Sequence, residues 1–336
     1  MFFRLASADL NGDGMLDLVA GHNAGGDFAV FFGLTDGGLS TPTVYAYDTL
    51  ALAIGDVDGD GHPDVVVGGE SSIQVLLNDG TGALTLAGTT ATGQETNGLA
   101  IGGVNGDGKG DVLASENNYP SVPAELFLSQ GHGKLAAPIT LPSASGTLYG
   151  GVLIGDINQD GLNDMVTDSA DQTQLLVFLN QGDGGFMSTL YPAPAAPAVI
   201  LVPRPDAGPD LVVGNGSGAD WGYGDGGLQL LRNLGEGTFE VEPLASSSAL
   251  FLAVGDFNGD CIPDVVASRW EQCGTGVVLN VSYGLRDGGF GEPVALSAPM
   301  GPAGVAVLGE VSHPSAIAVA DYCGAGIVVY GDASRH

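Results

Sequence analysis

Positive charge is what this sequence lacks most. It has 8 Lys and Arg against 39 Asp and Glu in 336 residues, a formal charge of −31. A nucleic-acid binder needs a basic surface to neutralise phosphates, and so few scattered cations cannot make one. An anionic membrane would repel the chain for the same reason. Long apolar runs are missing too: each ends in Gly, Asp or Asn within about ten residues, whereas a spanning helix needs about 20. Membrane insertion is therefore not expected. No leader is visible either, because Asp9 and Asp13 follow the apolar Met1–Leu5 at once and leave no room for a signal-peptide core. Three Cys are an odd count that says little about compartment. Heptads are absent and Gly occurs 57 times, which excludes long helices and coiled coils. Hydrophobic residues still make up 44% of the chain, enough to bury a large core, so disorder is excluded.

What is present is a repeat. Its best copies are Asp9-Leu-Asn-Gly-Asp-Gly-Met-Leu-Asp17, Asp56-Val-Asp-Gly-Asp-Gly-His-Pro-Asp64, Asp156-Ile-Asn-Gln-Asp-Gly-Leu-Asn-Asp164 and Asp256-Phe-Asn-Gly-Asp-Cys-Ile-Pro-Asp264. In a fifth copy, Gly103 to Asp111, Gly replaces the first acid; copies near Val202–Asp210 and Gly309 are eroded. The copies recur every ~50 residues, so seven units fill the 336-residue chain and leave no room for another domain. Each unit reads as four strands. One precedes the acidic loop, one follows it (Val65-Val-Val), and a third ends in a Gly/Asn/Asp turn such as Leu179-Asn-Gln-Gly-Asp-Gly-Gly-Phe186 that leads to the fourth.

Four strands per unit is the pattern of a propeller blade. The expected fold is an all-β, seven-bladed β-propeller of four-stranded antiparallel blades. The blades are expected at 1–45, 46–93, 94–146, 147–195, 196–245, 246–299 and 300–336. The last ends after a third strand, Gly326 to Tyr330. It is therefore either three-stranded or cut from a longer protein. No strand swap is visible, so ring closure is expected to rest on packing between blades 7 and 1.

The loop Asp-x-(Asp/Asn)-x-Asp-Gly-x-x-Asp between two strands, followed by Leu-Asn-x-Gly-(Asp)-Gly-x-Phe, resembles the FG-GAP/VCBS repeats of integrin-α-like propellers, and is nearer to the bacterial branch. The resemblance implies the propeller fold and calcium binding. It does not imply one activity, since the family includes adhesins, lectins and some polysaccharide-degrading enzymes.

The residues themselves also point to calcium. Acids at positions 1, 3 and 5 of a tight loop converge on one centre, Gly at 6 permits the turn, and a carbonyl at 7 with an acid at 9 completes a hard oxygen cage. The plain alternative is that Asp and Gly only make turns, and four matching copies argue against it. The expected ligands are Asp9, Asn11, Asp13, Met15 and Asp17 in loop 1, and Asp56, Asp58, Asp60, His62 and Asp64 in loop 2. In loop 4 they are Asp156, Asn158, Asp160, Leu162 and Asp164, and in loop 6 Asp256, Asn258, Asp260, Ile262 and Asp264. Loop 3, with Asn105, Asp107, Lys109 and Asp111, is expected to be weaker. That makes four Ca²⁺, or five with loop 3. Loop 5 carries Arg204 as an internal cation and is expected to be metal-free, as is loop 7. Cys261 in place of the turn Gly implies strain in loop 6.

No His or Lys lies in a nucleophile or zinc motif, so no catalysis is expected. Four aromatics, Tyr119, Trp221, Tyr223 and Trp270, fall in turns at one end of the ring and could form a binding rim. Cys273 and Cys323 occupy equivalent turns, either bridged or as separate thiols. The first reading is a monomeric extracellular or cell-surface adhesion or protein-interaction module, since such loops suit millimolar calcium. The second is a glycan-binding lectin, and the third a calcium-dependent polysaccharide lyase.

Overall fold

A computed structural model describes residues 2–22, 26–117, 124–141, 151–168, 174–193, 198–204, 208–214, 227–244, 249, 251–268, 278–297, 302–310, 313–321 and 326–331. These residues are all β and turn, with no helix. They form seven antiparallel sheets, six of four strands and a last one of three. Within every sheet the strands follow chain order, as a blade of hairpins requires. The first strands, such as Phe2–Ala8, Ala51–Gly55 and Glu95–Gly102, touch one another in turn around the ring, and Pro302–Glu310 returns to Phe2–Ala8. They are the inner strands.

Apolar residues cluster at the seams between blades. Val19, Val30, Val65 and Leu76 join blades 1 and 2; Val66, Val75, Val112 and Phe127 join blades 2 and 3. The seam between blades 7 and 1 is the thinnest, with Leu18, Ala306, Leu308 and Ala318 at its heart. Closure there is more than packing. The Leu16 amide donates to the Gly309 carbonyl at 2.8 Å, and Met15 bridges Glu310.

A polar staple reinforces four seams. Asn78 ends the third strand of blade 2 and donates through Nδ2 to the Leu10 carbonyl of the preceding blade at 2.8 Å. Ser129 does the same to Val57 (2.7 Å), Asn180 to Val104 (2.7 Å) and Asn233 to Ile157 (2.8 Å). The Asn in the repeated Leu-Asn turn is therefore a blade-to-blade fastener. Asn180 also donates to its own blade at Asn163 and accepts from Gly182. Asn180→Ala strips three bonds in a buried site. It is expected to cost about 2–3 kcal/mol, seen as a melting temperature lower by about 3–4 °C in a chain of this length; an unchanged melting temperature would refute the staple.

One cation pins the inner channel at the end away from the acidic loops. Arg4 donates to the carbonyls of Leu50 (3.3 Å) and Asn97 (2.9 Å), and its guanidinium stands 5.8 Å from the Phe251 ring centre. It thereby ties blade 1 to blades 2, 3 and 6. A register shift opposite Ser115 and Glu116 leaves Asn97 as a bulge, and its carbonyl goes to Arg4 instead of the ladder.

Candidate functional site

Each acidic loop leaves an inner strand and re-enters the second strand of its blade, so all the loops lie on one face of the ring. Position 1 organises the turn. Asp9 Oδ1 accepts from the Gly12 and Asp13 amides (2.8 and 3.1 Å) and its Oδ2 from Gly14 (2.8 Å). Asp56 and Asp256 repeat this pattern on residues 59–61 and 259–261. Position 5 accepts from the position 7 amide in loops 1, 2, 3, 4 and 6, as Asp60 does from His62 at 2.8 Å. These bonds hold the carboxylates in a tight arc before any ion is considered.

The closing acid has a structural task of its own. Asp64 is fully buried. Its Oδ2 accepts from the Val57 amide at position 2 (2.9 Å), and its Oδ1 from the Asn78 amide at the end of the third strand (2.9 Å). Asp17, Asp111, Asp164 and Asp264 make the same two bonds. Each therefore clasps the loop to the third strand. A carboxylate has about four lone-pair positions, so two amide bonds leave room for an ion. Burial, helped by the neighbouring acids, pushes Asp17, Asp64 and Asp264 up to about 6 against the Asp–amide bonds that lower them.

The loops are not equivalent. In loop 2 the carboxylates of Asp56, Asp58 and Asp64 bring ligand atoms within 4.8 Å of one another, the one such trio of His, Cys, Asp or Glu among the described residues. Asp58 Oδ1 is buried there without a hydrogen-bond partner. An orphaned carboxylate oxygen among acids fits a hard metal cation. Loops 1, 4 and 6 have Asn at position 3, and its Nδ2 donates to the position 5 acid: Asn11 to Asp13 (3.1 Å), Asn158 to Asp160 (2.9 Å) and Asn258 to Asp260 (3.2 Å). The amide takes up part of the acidity that loop 2 leaves bare.

Loops 3 and 5 hold their own cations. With Gly103 replacing the acid, Asp107 pairs with the Lys109 ammonium at 3.1 Å. In loop 5 the mostly buried Arg204 meets Asp210 at 3.2 Å, where Pro203 has no amide to offer. Cys261 is an exposed free thiol at φ 64°, in the left-handed region where a side chain costs roughly 1–2 kcal/mol. Gln159 in loop 4 sits there as well, at φ 62°.

Tyr119, Trp221, Tyr223, Trp270, Cys273 and Cys323 lie outside the described residues. The structure instead shows two cavities on the loop face. One of about 630 Å³ lies between blades 5 and 6, and another of about 560 Å³ between blades 7 and 1. They share a cause. At the staple position, blade 6 has Gly284 and blade 1 has Gly33, each donating its amide to the closing acid as Asn78 does but with no side chain to cross the seam. The signal was in the sequence, as Gly-Leu-x-Asp-Gly-Gly turns where units 2, 4 and 5 have Asn and unit 3 has Ser.

Residues 9–67, 56–114 and 103–167 each match the FG-GAP-like repeat family. Each match runs from one acidic loop through the next. No curated protein sequence matches the chain. Among solved structures, BBS1N in complex with ARL6DN is similar at a TM-score of 0.65 and 9% identity, covering 100% of this chain and 94% of that one. A provisional 6-phosphogluconolactonase from Bacteroides uniformis is similar at 0.69 and 15%, covering 95% and 92%. An Agrocybe aegerita lectin that recognises non-reducing terminal N-acetylglucosamine is similar at 0.55 and 15%, covering 99% and 91%. At these identities the likeness is one of fold.

Proposed function

We propose, from the premise that the chain is a β-propeller of FG-GAP-like repeats, that it is a calcium-stapled, monomeric, extracellular or cell-surface module that binds a partner protein and performs no catalysis. The observation that carries the calcium part is the Asp56–Asp58–Asp64 cluster with its orphaned Asp58 oxygen. Hard oxygen donors in a flexible loop suit Ca²⁺ over softer metals. When bound, the ion would neutralise carboxylates that otherwise repel. Loops 1, 2, 4 and 6 would hold it through positions 1, 3, 5 and 9, with loop 2 the tightest for its fourth carboxylate, Asp58. Lys109 and Arg204 do the ion's work in loops 3 and 5.

The binding part rests on the ring itself. Seam cores and staples make a rigid platform, and propeller loops around such a platform are suited to recognition. For the lectin reading the comparisons offer the Agrocybe aegerita neighbour, at 15% identity a likeness of fold. Calorimetric calcium titration of metal-stripped protein tests the proposal. It is expected to give about four sites and a melting temperature that climbs as they fill. Binding of a bare metal at none of the loops up to millimolar calcium would overturn it.

A further inference from the structure

The second strand of blade 3 ends in an acid that its counterparts lack. Five places after the closing acids of loops 1 to 6 stand, in turn, His22, Gly69, Glu116, Ser169, Asn215 and Arg269. Glu116 lies at the end of the ring away from the loops and is 2% exposed. Strand register places its neighbours. Thr96 stands opposite Glu116, and Glu125 stands opposite Ala114, two residues back on the same face. That face looks into the seam with blade 2, where Ala114 and Phe127 pack with Val66 and Val75. Blade 2 meets Thr96 with Gly68, at which an added Cβ would stand 2.6 Å from the Thr96 Cβ, so it brings no side chain there.

Two carboxyls and a hydroxyl thus share one corner, and they are short of partners. Glu116 Oε1 and Thr96 Oγ1 are buried without a hydrogen bond. Thr49, the counterpart of Thr96 in blade 2, donates to the Tyr47 carbonyl at 2.7 Å. The matching Gln94 carbonyl accepts from Thr92 instead, at 2.9 Å. Ser115 and Asn97 are unpartnered as well, but Ser115 alternates onto the opposite face and the Asn97 amide hydrogen-bonds neither carboxyl. Arg4, the cation of this end, is held at the Leu50 and Asn97 carbonyls, and among the described residues no ion pair reaches Glu116 or Glu125. Glu125 is half-buried, and the corner opens on its side. Burial first, then the charge of Glu125, raises Glu116 to about 7, as befits a carboxyl pair without a counter-ion.

We propose that Glu116, Glu125 and Thr96 form a binding site for a primary ammonium group, separate from the calcium loops. An ammonium carries three N–H donors, and three side chains here accept. Two carboxylates supply the charge that a buried cation needs beside it. A divalent ion fits less well, because Ca²⁺ takes roughly six to eight oxygens, more than these side chains give. A lysine of a partner protein and a free aliphatic amine present the same group.

Calorimetry on the full chain, with calcium saturating the loops and salt at physiological strength, tests this. The probes are Nα-acetyl-lysine-methylamide, its Nε-acetylated counterpart and n-butylamine. Both ammonium probes are expected to bind, and the Nε-acetylated one at least tenfold more weakly. Glu116→Gln is expected to weaken the ammonium probes at least tenfold, and Thr96→Val severalfold. Glu240→Gln removes the same charge from an exposed position and is expected to change nothing. Tighter binding of the lysine probe than of butylamine assigns the site to a partner's lysine, and the reverse to a free amine. Equal binding of the charged and acetylated lysine probes, no binding of either ammonium, or an equal loss in Glu116→Gln and Glu240→Gln would overturn the site. So would a calcium titration in which Glu116→Gln binds one ion fewer than wild type, which would hand the corner to a metal.

Discussion

Asp64→Ala is expected to cost about 4 kcal/mol of stability in metal-free protein, as would loss of any of the equivalent closing acids. The side chain is fully buried and satisfies two buried amides, Val57 and Asn78. Leaving each donor without a partner costs about 1–3 kcal/mol, and the small cavity adds to it. The effect should appear without any calcium. Asp58→Ala is the contrasting case. Its carboxylate has an oxygen with no partner and sits against other acids, so removing it relieves repulsion of about 1 kcal/mol even at the dielectric of bulk water. Metal-free Asp58→Ala should therefore melt at or slightly above wild type, yet lose the rise that loop 2 gives when calcium is added. Thermal melts of both variants, with and without calcium, separate the two tasks. If Asp64→Ala melts like wild type without calcium, the closing acid is a metal ligand and nothing more.

That division of labour shows where sequence reasoning reached and where it stopped. The seven units and their four-strand order were legible because the acidic loop punctuates the chain at a fixed spacing, and strand alternation is a local property. Closure by blades 7 and 1 was legible only as packing. The bond from Leu16 to Gly309 joins residues almost a full chain apart, and no local pattern announces it. The positions of the loop acids were plain from spacing. Their different tasks were not, because the partners of Asp64 are backbone amides, which carry no residue type. The Asn staple was read as a turn residue: its side chain reaches a carbonyl on the neighbouring blade 68 positions away. Lys109 was read only for its carbonyl, and its pairing with Asp107 follows from Gly103 having vacated the loop. Arg204 was the exception. A lone cation at a position reserved for an acid is a substitution whose charge explains itself, and it pairs with Asp210.

Glu116→Gln is expected to stabilise the protein as pH rises, by an amount that grows from nothing near pH 5 to about 3 kcal/mol near pH 8. Glu116 lies in the second strand of blade 3 (Asp111–Asn117) and is 2% exposed. It stands across from Thr96, whose hydroxyl is likewise buried and without a partner. Burial first, then the charge of Glu125 on the third strand, pushes Glu116 from 4.5 up to about 7, against a lowering bond from the Gly93 amide. Glu125 is also raised, chiefly by burial. The folded pair thus keeps a proton that the unfolded chain gives up near 4.5. With the folded value raised, the stability it brings is fully present below about pH 4.5 and is lost as pH climbs through 7. A rise of that size corresponds to about 3 kcal/mol for one fully buried group, shared between two carboxyls that titrate as a pair. Gln is neutral at every pH and can still donate to Glu125, so it removes the loss without opening a hole. Denaturant melts of wild type and Glu116→Gln at pH 5, 6, 7 and 8, with calcium saturating so that the metal loops stay fixed, measure the difference directly. A gap that does not widen with pH would mean that the two carboxyls ionise freely, and that the seam between blades 2 and 3 is wetter than its buried Thr96 and Glu116 indicate.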